Sequence, residues 1–152
     1  MDDIVIRDLT PADRPQWEAL WAGYNTFYGR HGDTAIPADL VETTWTRFFD
    51  PAEPMHALVA ERAGTLVGLT HYLFHRSTIQ LQPTCYLQDL FTAQSERGTG
   101  IGRRLIEAVY DRARAVGSPR VYWQTHETNA TAMRLYDQVA ERSGFLVYRK
   151  NF

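Results

Sequence analysis

The chain has 152 residues, with 16 Lys and Arg against 18 Asp and Glu and a formal net charge of −2; that length suits one core, so residues 1–152 read as a single domain, and the charge supplies no basic field for nucleic acid. The single cysteine, Cys85, excludes an internal disulfide and a thiolate zinc cluster and suits a reducing, cytoplasmic setting. No apolar run is long enough to span a membrane, and the acidic start MDDIVIRDL does not look like a secretory signal.

In chain order, Asp3 to Leu9 alternates apolar Ile4 and Ile6 with polar neighbours, the period of a strand. Thr10 and Pro11 then open a helix as N-cap and first helical residue. Trp17, Leu20, Trp21, Tyr24, Phe27 and Tyr28 recur along it at spacings of three and four. Such a stripe serves a core, and its Tyr24 and Tyr28 end can also wall a substrate pocket, together with Asn25, Trp45 and the loop from Arg30 to Ile36. After a polar turn and Pro37, a second helix runs from Ala38 to Phe49 and is stopped by Asp50, Pro51 and Pro54. From Met55 the period changes to two strands joined by a tight Arg62-Ala63-Gly64 turn. His56, His71 and His75 lie in or beside these strands without a ligand spacing, so they read as structural or surface residues and no metal is expected.

A loop from Gln80 to Thr84 leads to a strand, Tyr86 to Thr92, then to a glycine-rich loop and a helix with Ile101, Leu105, Ala108, Val109, Ala113 and Val116 on its apolar face. Gly117, Ser118 and Pro119 end that helix. Val121 to Thr125 reads as a strand, with Tyr122 and Gln124 on one face. Thr128 or Asn129 caps a last helix bearing Ala132, Leu135, Tyr136 and Val139, Gly144 breaks it, and Phe145 to Arg149 reads as a final strand. The order β-α-α-β-β-β-α-β-α-β is α/β with a mixed sheet: a meander, then two strand–helix crossovers.

The glycine-rich loop carries the chemistry. Gly98, Gly100 and Gly102 let backbone approach a ligand at the unpaired amides of a helix start, where an anion binds. Arg97, Arg103 and Arg104 crowd that positive end, and each cation there is unfavourable by roughly 0.3–1 kcal/mol unless a bound anion reverses the sign. A P-loop needs Lys then Ser or Thr after its last glycine, but Gly102 is followed by two arginines; a dinucleotide fingerprint needs G-x-G-x-x-G, whereas these glycines alternate. What remains is Arg97-x-x-Gly100-x-Gly102.

Arg97-Gly-Thr-Gly-Ile-Gly102 resembles the R/Q-x-x-G-x-G/A loop that holds the acyl-CoA pyrophosphate in the GNAT superfamily of N-acetyltransferases. Tyr86-Leu-Gln-Asp-Leu-Phe-Thr92 is similar to the strand before that loop, and Asn129-x-x-Ala132-x-x-Leu135-Tyr136 to the helix after it. The Tyr-Leu-x-Asp-Leu-Phe block and Tyr122-Trp-x-Thr125 before Asn129 look most like the branch with diamine acetyltransferases and the yeast-type histone, polyamine and D-amino-acid acetyltransferases. The resemblance implies a mixed, mostly antiparallel sheet flanked by four helices, with acetyl-CoA as co-substrate. It further implies that backbone groups of Leu90, Phe91 and Thr92 hold the pantetheine arm. Arg97, Gly98, Thr99, Gly100, Ile101, Gly102 and Arg103 would hold the pyrophosphate, while Asn129 and Ala132 would lie beside the cofactor.

Acetyl transfer to an amine needs a neutral amine, a stabilised oxyanion and a protonated leaving thiolate. The matching family position makes Tyr136 the general acid, and a main-chain amide near Phe91 or Thr92 meets the oxyanion. Asp89 is the candidate base, acting through a water, or a brace for a neighbouring loop, because a carboxylate inside a central strand is costly without a purpose; alternation sets it on the opposite face from Gln88. Diamine acetyltransferases carry acids where this chain has Gln88 and Asn25, so polyamines fit poorly, and Tyr24, Asn25, Tyr28 and Gln88 are expected at the substrate. A non-catalytic acyl-CoA sensor of the same fold and a nucleotide-binding module are the competing readings. A sheet edge left open beyond the last short strand is expected to pair with a second copy, giving a homodimer.

Overall fold

The computed structural model describes residues 3–152. Strand β1 (Ile4–Asp8) leads through a 3-10 turn (Pro11–Asp13) to helix α1 (Arg14–Phe27) and then helix α2 (Ala38–Phe48). A meander follows, β2 (Met55–Arg62), β3 (Thr65–His75) and β4 (Thr84–Thr92); then α3 (Ile101–Ala115), β5 (Val121–Tyr122) and α4 (Ala130–Val139). The sheet runs β1-β2-β3-β4-β5 and is antiparallel except for the parallel β4–β5 pair. Ala63 and Gly64 join β2 to β3 with φ of 48° and 83°, the paired positive φ that a two-residue hairpin turn requires. Among the described residues, no helix is long and apolar enough to cross a membrane.

The sheet has a core on each face. On one, Trp17 and Trp21 of α1 and Trp45 of α2 pack on Val59 and Leu69. On the other, Ile101, Leu105, Ile106 and Val109 of α3 cover Leu58, Val67, Cys85 and Leu87. A fully buried aliphatic side chain such as Leu69 or Leu105 stabilises the fold by about 1.5–3 kcal/mol. Gly68 sets how closely α3 approaches: a Cβ there would lie 3.0 Å from Ile101 Cγ2 and 3.2 Å from Leu105 Cδ1. Trp45, expected at a pocket wall, is 9% exposed and packs on the Trp17 ring instead.

Four expectations change. Thr10 and Pro11 open the 3-10 turn, and the α-helix starts only at Arg14. Pro15 has no N–H to close an α-turn onto Pro11, and the Asp13 carboxylate is occupied by the Thr10 N–H at 2.7 Å and by both terminal nitrogens of Arg7, at 2.8 and 2.9 Å. The strand expected to reach Thr125 pairs only at Val121 and Tyr122, opposite Cys85 and Tyr86; Trp123 leaves the sheet to pack against Tyr110 and Tyr136. Helix α4 stops at Val139, short of Gly144, where Ala140 turns extended and the Tyr110 hydroxyl donates to the Val139 carbonyl at 2.9 Å. Finally, the strand expected over residues 145–149 does not form: among the described residues no strand lies beyond β5 to receive it, and Phe145, Leu146 and Tyr148 are 89%, 82% and 94% exposed.

Strict alternation also fails within β4. His71 pairs with Asp89 and Tyr72 with Leu87, so Gln88 is the extra residue of a bulge. Gln88 and Asp89 consequently border the same cavity rather than separate faces of the sheet.

Candidate active site

Because β5 leaves the sheet after two residues, a cleft opens where β4 and the chain beyond β5 part. It forms a cavity of about 1050 Å³ between that opening and the ends of α1 and α2. Tyr24, Asn25 and Tyr28 enter it from α1 and its C-terminal turn, Gln88, Asp89 and Leu90 from β4, and Tyr136 from α4. The expected substrate residues and the two expected catalytic side chains thus share one space.

Among the described residues, Asp89 is the one carboxylate that lines it, 9% exposed. Its Oδ2 accepts from His71 Nδ1 at 2.8 Å, and the Thr70 hydroxyl holds its backbone carbonyl at 2.8 Å. His71 Nε2 in turn accepts from Trp17 Nε1 at 2.9 Å. His71 is therefore neither a surface residue nor a mere filler of the core. The sequence carried one signal for it, a histidine inside an apolar strand, but the register that sets it opposite Asp89 comes from the hairpin and the bulge. Burial, reinforced by the neighbouring Asp89 carboxylate, pushes the Tyr24 phenol well above its ordinary range.

Asn25 faces the cavity with its amide already committed: Nδ2 donates to the Trp21 carbonyl at 3.0 Å, and Oδ1 accepts from Arg30 Nε at 2.8 Å. It serves as a brace for Arg30, whose guanidinium lies 5.7 Å from the Tyr24 ring centroid and 5.4 Å from that of Tyr28. A fixed cation and a fixed anion therefore border the same cavity. Trp21 Nε1, buried at the cavity wall, is the one buried side-chain polar atom among the described residues with no partner.

Across the cleft, burial raises the Tyr136 phenol to about 12. Its ring is fixed edge-on against Trp123, 5.4 Å between centroids. A neutral phenol of this kind is a proton donor at any physiological pH.

Beyond Leu90, the half-buried Phe91 and Thr92 carry β4 toward the glycine loop. Gly98 and Gly100 adopt φ of 79° and 85°, with open space where a Cβ would stand. Gly100 is the N-cap of α3 and offers no side chain, so the first amides of the helix, from Ile101 to Arg103, have no side-chain cap. Thr99 is turned inward, its hydroxyl donating to the Glu96 carbonyl. Arg97 stays beside the loop, stacked 5.6 Å from the Phe91 ring centroid and bonded to the Thr92 carbonyl at 3.3 Å. The expected crowding of three arginines is not what forms: Arg103 reaches Glu107 at 3.1 Å and Gln138 at 3.2 Å, and Arg104 turns to β1 and the Ile4 carbonyl at 2.9 Å.

Helix α4 flanks the same loop, with Leu135 Cδ2 3.5 Å from the position of a Gly102 Cβ. Asn129 is its N-cap residue but makes no side-chain cap; its Nδ2 reaches Thr125 Oγ1 at 3.4 Å. Ala132 is half-buried one turn on. The end of β4, the uncapped start of α3 and Leu135 of α4 thus meet beyond the Leu90 edge of the cavity, and these elements suit an extended ligand with a polyanionic end.

The acetyltransferase (GNAT) family profile matches residues 15–140. The chain is 35% identical over 152 residues to the D-amino-acid N-acetyltransferase HPA3 of Saccharomyces cerevisiae, covering 99% of this chain and 92% of the relative. Among solved structures, an aminoglycoside N-acetyltransferase, AAC(6')-Iy, in complex with CoA is similar with a TM-score of 0.81 at 16% identity, over 97% of this chain and 94% of that one. A ribosomal-protein-alanine N-acetyltransferase from Brucella melitensis biovar Abortus 2308 is similar with a TM-score of 0.78 at 20% identity, over 98% and 99%. At these identities the two solved structures speak for the fold.

Proposed function

The chain belongs to the acetyltransferase (GNAT) family and is an acyl-CoA N-acetyltransferase, and from that premise we propose that it moves an acetyl group from acetyl-CoA to a primary amine by direct attack in a ternary complex. The observation that carries the reading is the meeting of Asp89 and Tyr136 in one cavity from which β4 leads to an uncapped helix start. Amides of Ile101 to Arg103, with Arg97 beside them, would hold the pyrophosphate; Leu90, Phe91 and Thr92 would hold the pantetheine arm, with Asn129 and Ala132 alongside. The acyl donor supplies an activated thioester carbonyl. Asp89 takes the proton that the amine gives up as its nitrogen bonds to the carbonyl carbon. Tyr136 protonates the sulfur as the carbon–sulfur bond breaks, and an amide near Phe91 or Thr92 receives the oxyanion.

The acceptor in this proposal is a free amino acid. Asp89 meets its amino group and Arg30, locked by Asn25 and stacked on Tyr24 and Tyr28, meets its carboxylate. The name of the HPA3 relative points the same way. A polyamine offers Arg30 nothing. The proposal also includes the cytoplasm as compartment, in line with the single buried thiol of Cys85, and a homodimer in which a second copy covers the exposed apolar run of Phe145, Leu146 and Val147. A concentration-independent monomer mass by light scattering would refute the dimer. Ligand choice is tested by thermal shift: acetyl-CoA and CoA are expected to raise the melting temperature and ATP and NAD to leave it unchanged, and the reverse pattern would overturn the reading.

A further inference from the structure

We propose that His71 and Trp17 are positioning residues that hold the Asp89 carboxylate in its working orientation, through a buried indole–imidazole–carboxylate chain. The inference rests on the reading that Asp89 meets the acceptor amine. An indole N–H can only donate, so the 2.9 Å contact from Trp17 Nε1 obliges His71 Nε2 to accept. The single proton of the neutral imidazole then sits on Nδ1 and points at Asp89 Oδ2, 2.8 Å away. The Nε2–H form, which the indole excludes, would set two lone pairs, on Nδ1 and Oδ2, against each other.

The ring is also held mechanically. Phe48 of α2 lies 4.8 Å from it centroid to centroid, Trp21 lies 5.8 Å away and Trp17 6.0 Å, so both helices clamp the imidazole on β3. Trp17 is fully buried and His71 is 5% exposed. The bulge at Gln88 follows directly after the His71–Asp89 pair, which gives Asp89 its direct neighbour on β3 at the rim of the cavity. With Oδ2 tied to His71, the carboxylate is fixed in the cavity wall next to the Tyr24 phenol. A carboxylate fixed in this way keeps a lone pair at one place, the condition for efficient proton transfer from a bound amine.

The test uses the full-length enzyme and four variants, with a readout that packing alone does not move. In wild-type protein labelled with [15N]histidine, long-range proton–nitrogen spectra are expected to show His71 as the Nδ1–H tautomer, assigned by its absence in His71→Asn. In Trp17→Phe, which keeps an aromatic ring but loses the donor, the Nε2 resonance is expected to move downfield as that nitrogen loses the hydrogen bond it accepts; an unchanged Nε2 shift would overturn the role of Trp17. Kinetically, His71→Leu is expected to lower kcat by up to about 100-fold, the scale of a reacting group misplaced by an ångström, with the KM for acetyl-CoA unchanged. His71→Asn, which keeps an N–H near the Nδ1 position, is expected to recover most of that loss. A wild-type Nε2–H tautomer would overturn the inference; so would equal losses in His71→Asn and His71→Leu that track their melting temperatures. Asp89→Asn separates the two levels. If it loses turnover while His71→Leu keeps it, the positioning inference fails and the reading of Asp89 stands; if Asp89→Asn keeps wild-type kcat, the reading of Asp89 fails and the inference with it.

Discussion

Tyr136 meets Trp123 edge to face, the ring centroids 5.4 Å apart and the planes at 69°. The contact joins α4 to the point where the chain leaves the sheet, so the departure that opens the cleft also fixes the phenol at its wall. With that phenol raised to about 12 by burial, Tyr136 stays protonated throughout the range in which the protein can be assayed. Tyr136→Phe is expected to lower kcat by roughly 10²–10⁴-fold, equally at pH 7 and pH 9, with the fold and the affinity for acetyl-CoA retained. Near-normal turnover in steady-state assays of that variant would remove Tyr136 from the chemistry.

Gly100→Ala tests the loop. A side chain at φ 85° costs about 1–2 kcal/mol although nothing stands within 4 Å of it. The expected result is a modest fall in melting temperature and a raised KM for acetyl-CoA, with the KM of the acceptor much less affected. An unchanged KM for acetyl-CoA would place the pyrophosphate elsewhere.

Arg30→Met keeps an unbranched chain over Tyr24 and Tyr28 and removes the charge. For a free amino acid the KM is expected to rise by about tenfold or more, the worth of a charge-assisted hydrogen bond. For the corresponding amine without a carboxylate, wild type and variant are expected to be equally poor. Equal effects on both acceptors would argue against a carboxylate at Arg30.

The Arg7–Asp13 pair makes stability depend on pH at the acid end. The Arg7 guanidinium, with help from Thr10, holds the Asp13 carboxyl down to about 2. A depressed carboxylate adds stability above its unfolded value, and that stability is lost as pH falls through the folded one. Asp13→Asn is therefore expected to cost about 2 kcal/mol above pH ~5, with the deficit shrinking as pH drops from ~4 toward 2. Denaturant unfolding of both proteins across that range measures it; a deficit that stays constant with pH would contradict the assignment.

Much of this was legible before any coordinates, for physical reasons that differ from element to element. Helix periodicity along Ile101 to Ala113 and the positive-φ demand at Gly98 and Gly100 are local properties, and they located the glycine loop and α3. Tyr136 followed from its block on α4. The pairing of His71 with Asp89 was not legible, because it depends on a strand register with a bulge at Gln88 that no local pattern encodes. Arg104 was misread for a related reason: its position in the first turn of α3 suggested a cation at the anion site, but the tertiary structure offers it the Ile4 carbonyl. The apolar run at Phe145 to Tyr148 has the composition of a strand, yet a strand needs a partner, and among the described residues none pairs with it.

The most direct test of the whole account is amine-dependent release of CoA from acetyl-CoA, followed with a thiol reagent over a panel of D- and L-amino acids, their decarboxylated amines, polyamines, lysine peptides and aminoglycosides. Release well above the amine-free rate is expected with free amino acids, together with mass-spectrometric detection of the N-acetylated product. Stabilisation by acetyl-CoA with no release for any amine in the panel would contradict it and leave a non-catalytic acyl-CoA sensor in its place.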